Sequence, residues 1–279
     1  MFNNPRLNAD LHCHTTASDG SLTPAELVAR AIEQGVELLA ITDHDNFDGL
    51  AEARQAAGDS IALVSGIELS SVWKGITIHI VGLDFEPKRL EVAVERQKQA
   101  RDIRNLKIAE RLEKKGVKNA LEGAMAFATS DSILGRPQFA QYLVAEGFFP
   151  TEAEAFRQWL GAGKLGDVKT SWPDIQTVVN DIITAGGQAV LAHPHHYKMT
   201  NGKLGRFLDE FKACGGSAIE VCGSGMKPEQ SSYFALLCER YGLMASRGSD
   251  FHRPDNPWVE LGRIAPLPES VTPVWQSFR

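Results

Sequence analysis

An α/β fold on a largely parallel sheet, open or closed as a barrel, is what this chain predicts. Three observations carry that expectation. Short apolar runs alternate with segments of helical period. The apolar runs end in polar clusters, as in DLHCH, AITDHD, SGIELSS, LAHPHH and SRGSDFH. The alternation stops between about Glu86 and Thr170 and then resumes, the mark of a helical insertion in an α/β frame.

Taken in order, LNADLH is the first strand. Thr23-Pro24-Ala25-Glu26 then opens a helix, with a Thr N-cap, Pro at the first helical position and Glu three residues after the cap. Gly35 is its natural end. VELLAITDHD reads as a buried strand, GLAEARQAA as a helix, and IALVSGIELSS and ITIHIVGLDF as two further strands. The insertion carries a long charged helix, RLEVAVERQKQARDIRNLKIAERLEKKG, and shorter ones around PQFAQYLVAEG and TEAEAFRQWLGAG. Three helix–strand pairs follow, whose strands are QAVLAH, SAIEVCG and LMASRGSDFH.

A chain of 279 residues fits one large domain, or one with a sizeable insertion. With 43% hydrophobic and 23% charged residues, neither disorder nor a fibre is indicated. No apolar run of about 18 residues is present, so no membrane helix is expected. MFNNPRLNADLH lacks the pattern of a signal peptide, and Cys13, Cys214, Cys222 and Cys238 show no CxxC pairing. A cytoplasmic protein is the expectation. The net charge of -6 argues against binding long duplex nucleic acid. Between Lys88 and Lys118, however, eleven Lys/Arg face five Asp/Glu. That local excess suits a small anionic ligand or short oligonucleotide, and equally a solvated helix face.

His12 and His14 are an i, i+2 pair, so on a strand both imidazoles point to one side. Asp250 and His252 repeat that spacing at another strand end. Glu68, His44 and His193 follow apolar runs, and His79 lies inside its strand. A lone buried carboxylate such as Glu68 is costly unless paired or bound to metal. Mixed imidazole and carboxylate donors without thiolate suit Mn, Fe or Zn. The candidates outnumber the ligands of one tetrahedral ion, which implies two or three ions and hydrolytic chemistry.

In this order, LHCHTTASD, ITDHD, GIELS, HIVG, LAHP and GSDFH resemble the motifs of the PHP (polymerase and histidinol phosphatase) family, over nearly the whole chain. The resemblance implies a distorted (β/α)7 barrel, residues 1–85 and 171–279, with insertion 86–170 as a cap over its C-terminal face. It implies His12, His14, Glu68 and Asp250 around a first ion. Glu68 would bridge to a second, held also by His79 and His193. Asp19, His44 and His252 would hold a third, and many members have a histidine where Asp19 stands. Asp43 is expected to orient a ligand from behind. Manganese comes first among the divalent ions, with iron and zinc as alternatives.

QARDIRN, LGRPQF, GAGK and HPHHY further resemble the branch of 3′,5′-nucleoside bisphosphate phosphatases and a 5′-3′ exoribonuclease acting on short RNA. That resemblance implies phosphate contacts from Arg101, Arg104, Arg136 and Lys164, for which Arg forks and a Lys point charge are suited. The expected reaction is attack by a metal-bridging hydroxide on the 3′-phosphate of a nucleoside 3′,5′-bisphosphate, releasing the 5′-monophosphate. His196 is a candidate proton donor to the leaving oxygen. Tyr197 is the preferred base contact among Trp73, Phe127, Phe139, Phe148, Phe149 and Trp159. The alternatives are the exoribonuclease reaction, histidinol phosphate hydrolysis and a non-enzymatic metal-binding module.

Overall fold

The computed structural model describes residues 2–128, 134–168 and 172–279. The boundary expected at 170/171 lies outside the described residues. Strands β1 (Ala9–Asp10), β2 (Leu38–Ala40) and β3 (Ala62–Val64) pair in parallel, in that order. Helices α1 (Pro24–Glu33) and α2 (Leu50–Ala57) make the crossovers. The start of α1 follows its sequence: Thr23 Oγ1 accepts from the Glu26 amide at 3.2 Å, and the Glu26 carboxylate accepts from the Thr23 amide at 2.8 Å. Gly35, at φ 71°, turns the chain out of the helix into β2.

Five more strands, β4 (Gly66–Trp73), β5 (Ile76–Leu83), β6 (Gln188–Leu191), β7 (Ala218–Gly223) and β8 (Met244–Gly248), form a second sheet in sequence order. Only Ser65 separates β3 from β4, so the two amount to one bent strand, and seven strands circle the molecule. Backbone bonds link the sheets at both edges. The Leu11 amide donates to Arg247 O at 3.1 Å and the Asp250 amide to His12 O at 2.8 Å, joining β8 to β1. At the other seam the Asp45 amide donates to Glu68 O at 2.9 Å.

One strand departs from the parallel expectation. β5 runs antiparallel to both β4 and β6. The cause is local: Lys74 (φ 45°) and Gly75 (φ 75°) form a two-residue hairpin turn, which can only join antiparallel strands. Pairing in register sets Glu68 opposite Val81 and Ser70 opposite His79, so Glu68 and His79 share a face.

The insertion contains α3 (Pro87–Glu113), α4 (Ala120–Met125), α5 (Arg136–Ala145) and α6 (Glu152–Ala155), which passes into a π-helical turn at Phe156–Leu160. Its apolar side chains, among them Ile108, Leu112, Phe139, Leu143 and Leu160, form a core of their own. Helices α7 (Ile175–Thr184), α8 (Asn201–Ala213) and α9 (Pro228–Tyr241) complete the frame, packed on the outer faces of β4 to β8. Among the described residues, no helix is long and apolar enough to cross a membrane.

Candidate metal centre and phosphate pocket

All nine carboxylates and imidazoles singled out from the sequence meet at one end of the strands. Glu68, 1% exposed, is the hub. Its Oε1 lies 2.8 Å from His79 Nδ1, 2.9 Å from His193 Nε2 and 3.4 Å from His12 Nε2. Its Oε2 lies 2.9 Å from His44 Nδ1 and 3.4 Å from His14 Nε2. Asp250 Oδ1 lies 3.5 Å from His12 Nε2 and 3.3 Å from His14 Nε2. Asp19 faces His252 Nε2 at 3.3 Å and His44 Nε2 at 3.7 Å. Donor atoms on a tetrahedron with bonds of about 2.1 Å stand about 3.4 Å apart, so these separations suit a shared ion.

The grouping of donors is more interleaved than the family resemblance implies. His12, His14 and Asp250 converge, as expected. His14 also joins Asp19, His44 and His252, while Glu68 pairs with His12 and His193 on one side and with His44 and His79 on the other. His12 Nε2, both nitrogens of His14, His44 Nδ1 and Asp19 Oδ1 are buried without a hydrogen-bond partner. Buried lone pairs left this way are costly, and a divalent cation would satisfy them. The donor set therefore fits metal.

Electrostatics points the same way. Burial opposes charge on Glu68, yet His79, His44 and His12 hold its carboxyl well below the usual range. Asp250 is held low against burial by His12 and His14. Burial, with the charges of His252 and His44, depresses the His14 pKa to about 3, which keeps that imidazole neutral and able to coordinate. Against burial, the Asp19 carboxylate pushes His252 up to about 10, so this imidazole must give up its proton when a cation binds.

Backbone strain marks the same place. His193 (φ 29°), Asp250 (φ 54°) and Asp45 (φ 55°) all adopt positive φ at strand ends, where the surrounding structure must enforce it. Gly248 is needed for contact: a Cβ there would stand 2.2 Å from His12 Cβ and 2.7 Å from Glu220 Oε1.

The supporting groups were only partly foreseen. Asp43 accepts from the Thr15 amide at 2.7 Å, Thr15 Oγ1 at 2.6 Å and Ser18 Oγ at 2.6 Å, pinning the loop that carries Asp19. Glu220, absent from the sequence-derived set, is buried on β7 and faces His12 Nδ1 at 3.2 Å. Its other oxygen accepts from the His193 amide. This carboxylate fixes the His12 tautomer with Nε2 free to coordinate. A glutamate inside the apolar run SAIEVCG is the same signal that singled out Glu68. Glu220→Ala should weaken metal binding about 10–100-fold, measured by titration calorimetry on the metal-free protein.

A cavity of about 620 Å³ opens from this centre, lined by Asp19, His44 and His79 on one side and by insertion residues on the other. Arg101, Arg104 and Arg136 line it together. Arg101 pairs with buried Asp45, itself bonded to the Ser70 amide and hydroxyl. Arg104 makes no hydrogen bond or ion pair among the described residues; its guanidinium lies 5.5 Å from the centre of the Trp172 ring. Burial, then Arg136 and Arg101, hold its pKa well below the ordinary value. Lys203 also lines the cavity, but Lys164 is exposed outside it; its loop contributes Ala162 and Gly163 instead.

His196 and Tyr197 line the cavity as well. The Tyr197 hydroxyl accepts from the His79 amide at 2.9 Å, so that group braces β5, and only the ring remains for a base. Trp172, not foreseen, is a further aromatic in the lining, with Arg101 and Arg104 over its ring. Trp73, Phe139 and Phe149 are core residues. Burial and nearby His193 lower the His196 pKa, leaving its imidazole uncharged at neutral pH.

Comparisons with known proteins show the family. The PHP domain matches residues 10–135. A 5′-3′ exoribonuclease from Haemophilus influenzae is 43% identical over 272 residues, 96% of this chain and 98% of that one. The chain belongs to the PHP family. A second PHP relative, the 3′,5′-nucleoside bisphosphate phosphatase of Chromobacterium violaceum, is 38% identical over 96% of this chain and 95% of its own. A solved structure from the same organism, described as an amidohydrolase with bound sulfate and no metal, superposes with a TM-score of 0.88, 38% identity and coverage of 96% and 95%. Membership of the PHP family makes the chain a phosphoesterase that uses divalent metal, with the nine-residue cluster as the candidate centre.

Proposed function

We propose that this PHP phosphoesterase hydrolyses the 3′-phosphate of nucleoside 3′,5′-bisphosphates, with His12, His14, Asp19, His44, Glu68, His79, His193, Asp250 and His252 as the metal ligands. One observation carries the substrate class: three arginines converge on the cavity wall that faces the imidazole and carboxylate cluster. Guanidinium groups crowded in this way repel one another and call for a polyanion. Arg104 and Arg136 hold the 5′-phosphate, steadied by Arg101, while the 3′-phosphate reaches the cluster. Sulfate, an analogue of phosphate, is bound in the C. violaceum structure, in keeping with this reading.

When bound, divalent ions acidify water and offset charge on the phosphoryl oxygens. Glu220 and Asp43 keep His12 and the Asp19 loop in place for that role. The insertion, as a cap, excludes bulk water and converts binding of the 5′-phosphate into orientation at the 3′ oxygen. The uncharged His196 can offer its N–H to that oxygen. The ring faces of Trp172 and Tyr197 are the candidates for the base.

A second reading, 5′-3′ cleavage of short 5′-phosphorylated RNA, is favoured by the 43% and 42% identical exoribonucleases of H. influenzae and Escherichia coli. Both reactions break a P–O3′ bond. Steady-state kinetics of the manganese-loaded protein on adenosine 3′,5′-bisphosphate and on 5′-phosphorylated diadenylate should give turnover of the monoester. No hydrolysis of the bisphosphate would remove the first reading.

A further inference from the structure

Helix α3 presents two different sides. One is buried, from Leu90 and Ala93 to Ile108 and Leu112, and carries Arg101 and Arg104 to the cavity. The other is exposed, yet not wholly polar: Val92 is 79% exposed, Ile103 49% and Leu106 51%. Exposed apolar side chains scattered singly need no explanation, but these three stand on one stripe. The stripe runs Lys88, Val92, Glu95, Gln99, Ile103, Leu106, Glu110, at steps of 4, 3, 4, 4, 3 and 4 residues. Steps of three and four keep side chains on one face, as along the seam of a coiled coil.

The order of those steps is the same from either end. A helix packed antiparallel on its own copy, with a two-fold axis at Gln99, needs that symmetry, because the axis sets each residue opposite the one equally far beyond Gln99. Val92 then meets Leu106 of the second copy, and Lys88 meets Glu110. Glu95 meets Ile103, its carboxylate already accepting from Gln99 Nε2 at 3.0 Å. Asp102 falls opposite Arg96, which pairs with Asp181 on α7. A parallel pair would instead set Lys88 on Lys88 and Glu110 on Glu110, like charges at both ends.

We infer that this face of α3 is the contact between two copies of the chain, which associate as an antiparallel two-fold pair. The area available sets the strength. Lys88 to Glu110 spans about 33 Å of a helix about 10 Å wide, less than the roughly 800 Å² per partner of a standard stable interface. The dimer is therefore of the weak class, with a micromolar Kd. Arg101 and Arg104 lie on the buried side, so association leaves the phosphate wall in place, whichever phosphoester the centre hydrolyses.

Sedimentation velocity of the full chain from about 1 to 200 µM should show a monomer–dimer equilibrium in the wild type. Leu106→Glu, which sets a carboxylate against Val92 of the second copy, should be monomeric throughout. Lys88→Glu and Glu110→Lys each bring like charges together at both ends of the pair and should raise Kd about tenfold. The double variant Lys88→Glu/Glu110→Lys should return to the wild-type Kd. A parallel pair would be indifferent to either single change. Circular dichroism and turnover should match the wild type in every variant, since none of these side chains lines the cavity. A wild type that stays monomeric at the highest concentration overturns the pairing, and so does a dimer that survives Leu106→Glu. Single charge variants with unchanged Kd, or a double variant without recovery, overturn the antiparallel register.

Discussion

Glu68→Gln should retain the fold, lose bound metal and lower kcat/KM at least about a thousandfold, about 4 kcal/mol of transition-state stabilisation. The expectation follows from position. Both carboxylate oxygens are shared among five imidazoles, and none of the other carboxylates in the centre touches as many. The amide preserves volume, so packing against the neighbouring strands is kept. It removes the charge and replaces one coordinating oxygen by an NH₂ that cannot coordinate. Elemental analysis after reconstitution, beside circular dichroism and kinetics, checks the three parts separately. Full metal content in the variant would show that Glu68 is not the hub its contacts indicate.

Arg104→Met should act in opposite directions on stability and on function. In the free protein a buried guanidinium faces Arg101 and Arg136, with no ion pair among the described residues. A base whose pKa is depressed on folding costs stability wherever the unfolded chain would carry the proton, here at all neutral pH values. Methionine keeps the contact with Trp172 and removes the charge. The melting temperature should rise, by about 2–4 °C for each kcal/mol recovered in a domain of comparable size. The same change should lower kcat/KM for the bisphosphate about a hundredfold, because the 5′-phosphate loses a charge-assisted contact. Calorimetry and kinetics on one preparation test both. A fall in both quantities would mean that Arg104 is structural, and unchanged kinetics would remove it from the phosphate subsite. Gains of this kind at binding sites reflect a general trade between stability and activity.

Much of the centre was legible in the sequence because its chemistry is carried by residue type and local period. His12 and His14 are two apart, as are Asp250 and His252, and a strand turns such pairs to one side. Cys13, between the histidines, points the other way and packs against Leu27, Val28 and Phe251. The capping box of α1 was equally local, whereas the antiparallel direction of β5 came only with the tight Lys74-Gly75 turn in the structure.

What the sequence determined by itself was the strand–helix order, the long charged helix and shorter helices between β5 and β6, and the presence of metal-competent donors at strand ends. These depend on periods of two and 3.6 and on side-chain chemistry, which a linear chain displays directly. Only the tertiary structure decided which donors share an ion, because His14 and Glu68 each reach more than one group through space. It alone brought Glu220 to His12 across 208 residues, kept Lys164 out of the cavity and turned the Tyr197 hydroxyl to β5. Such pairings are set by sheet register and by the seating of the insertion over the strand ends. Distance along the chain carries no information about either.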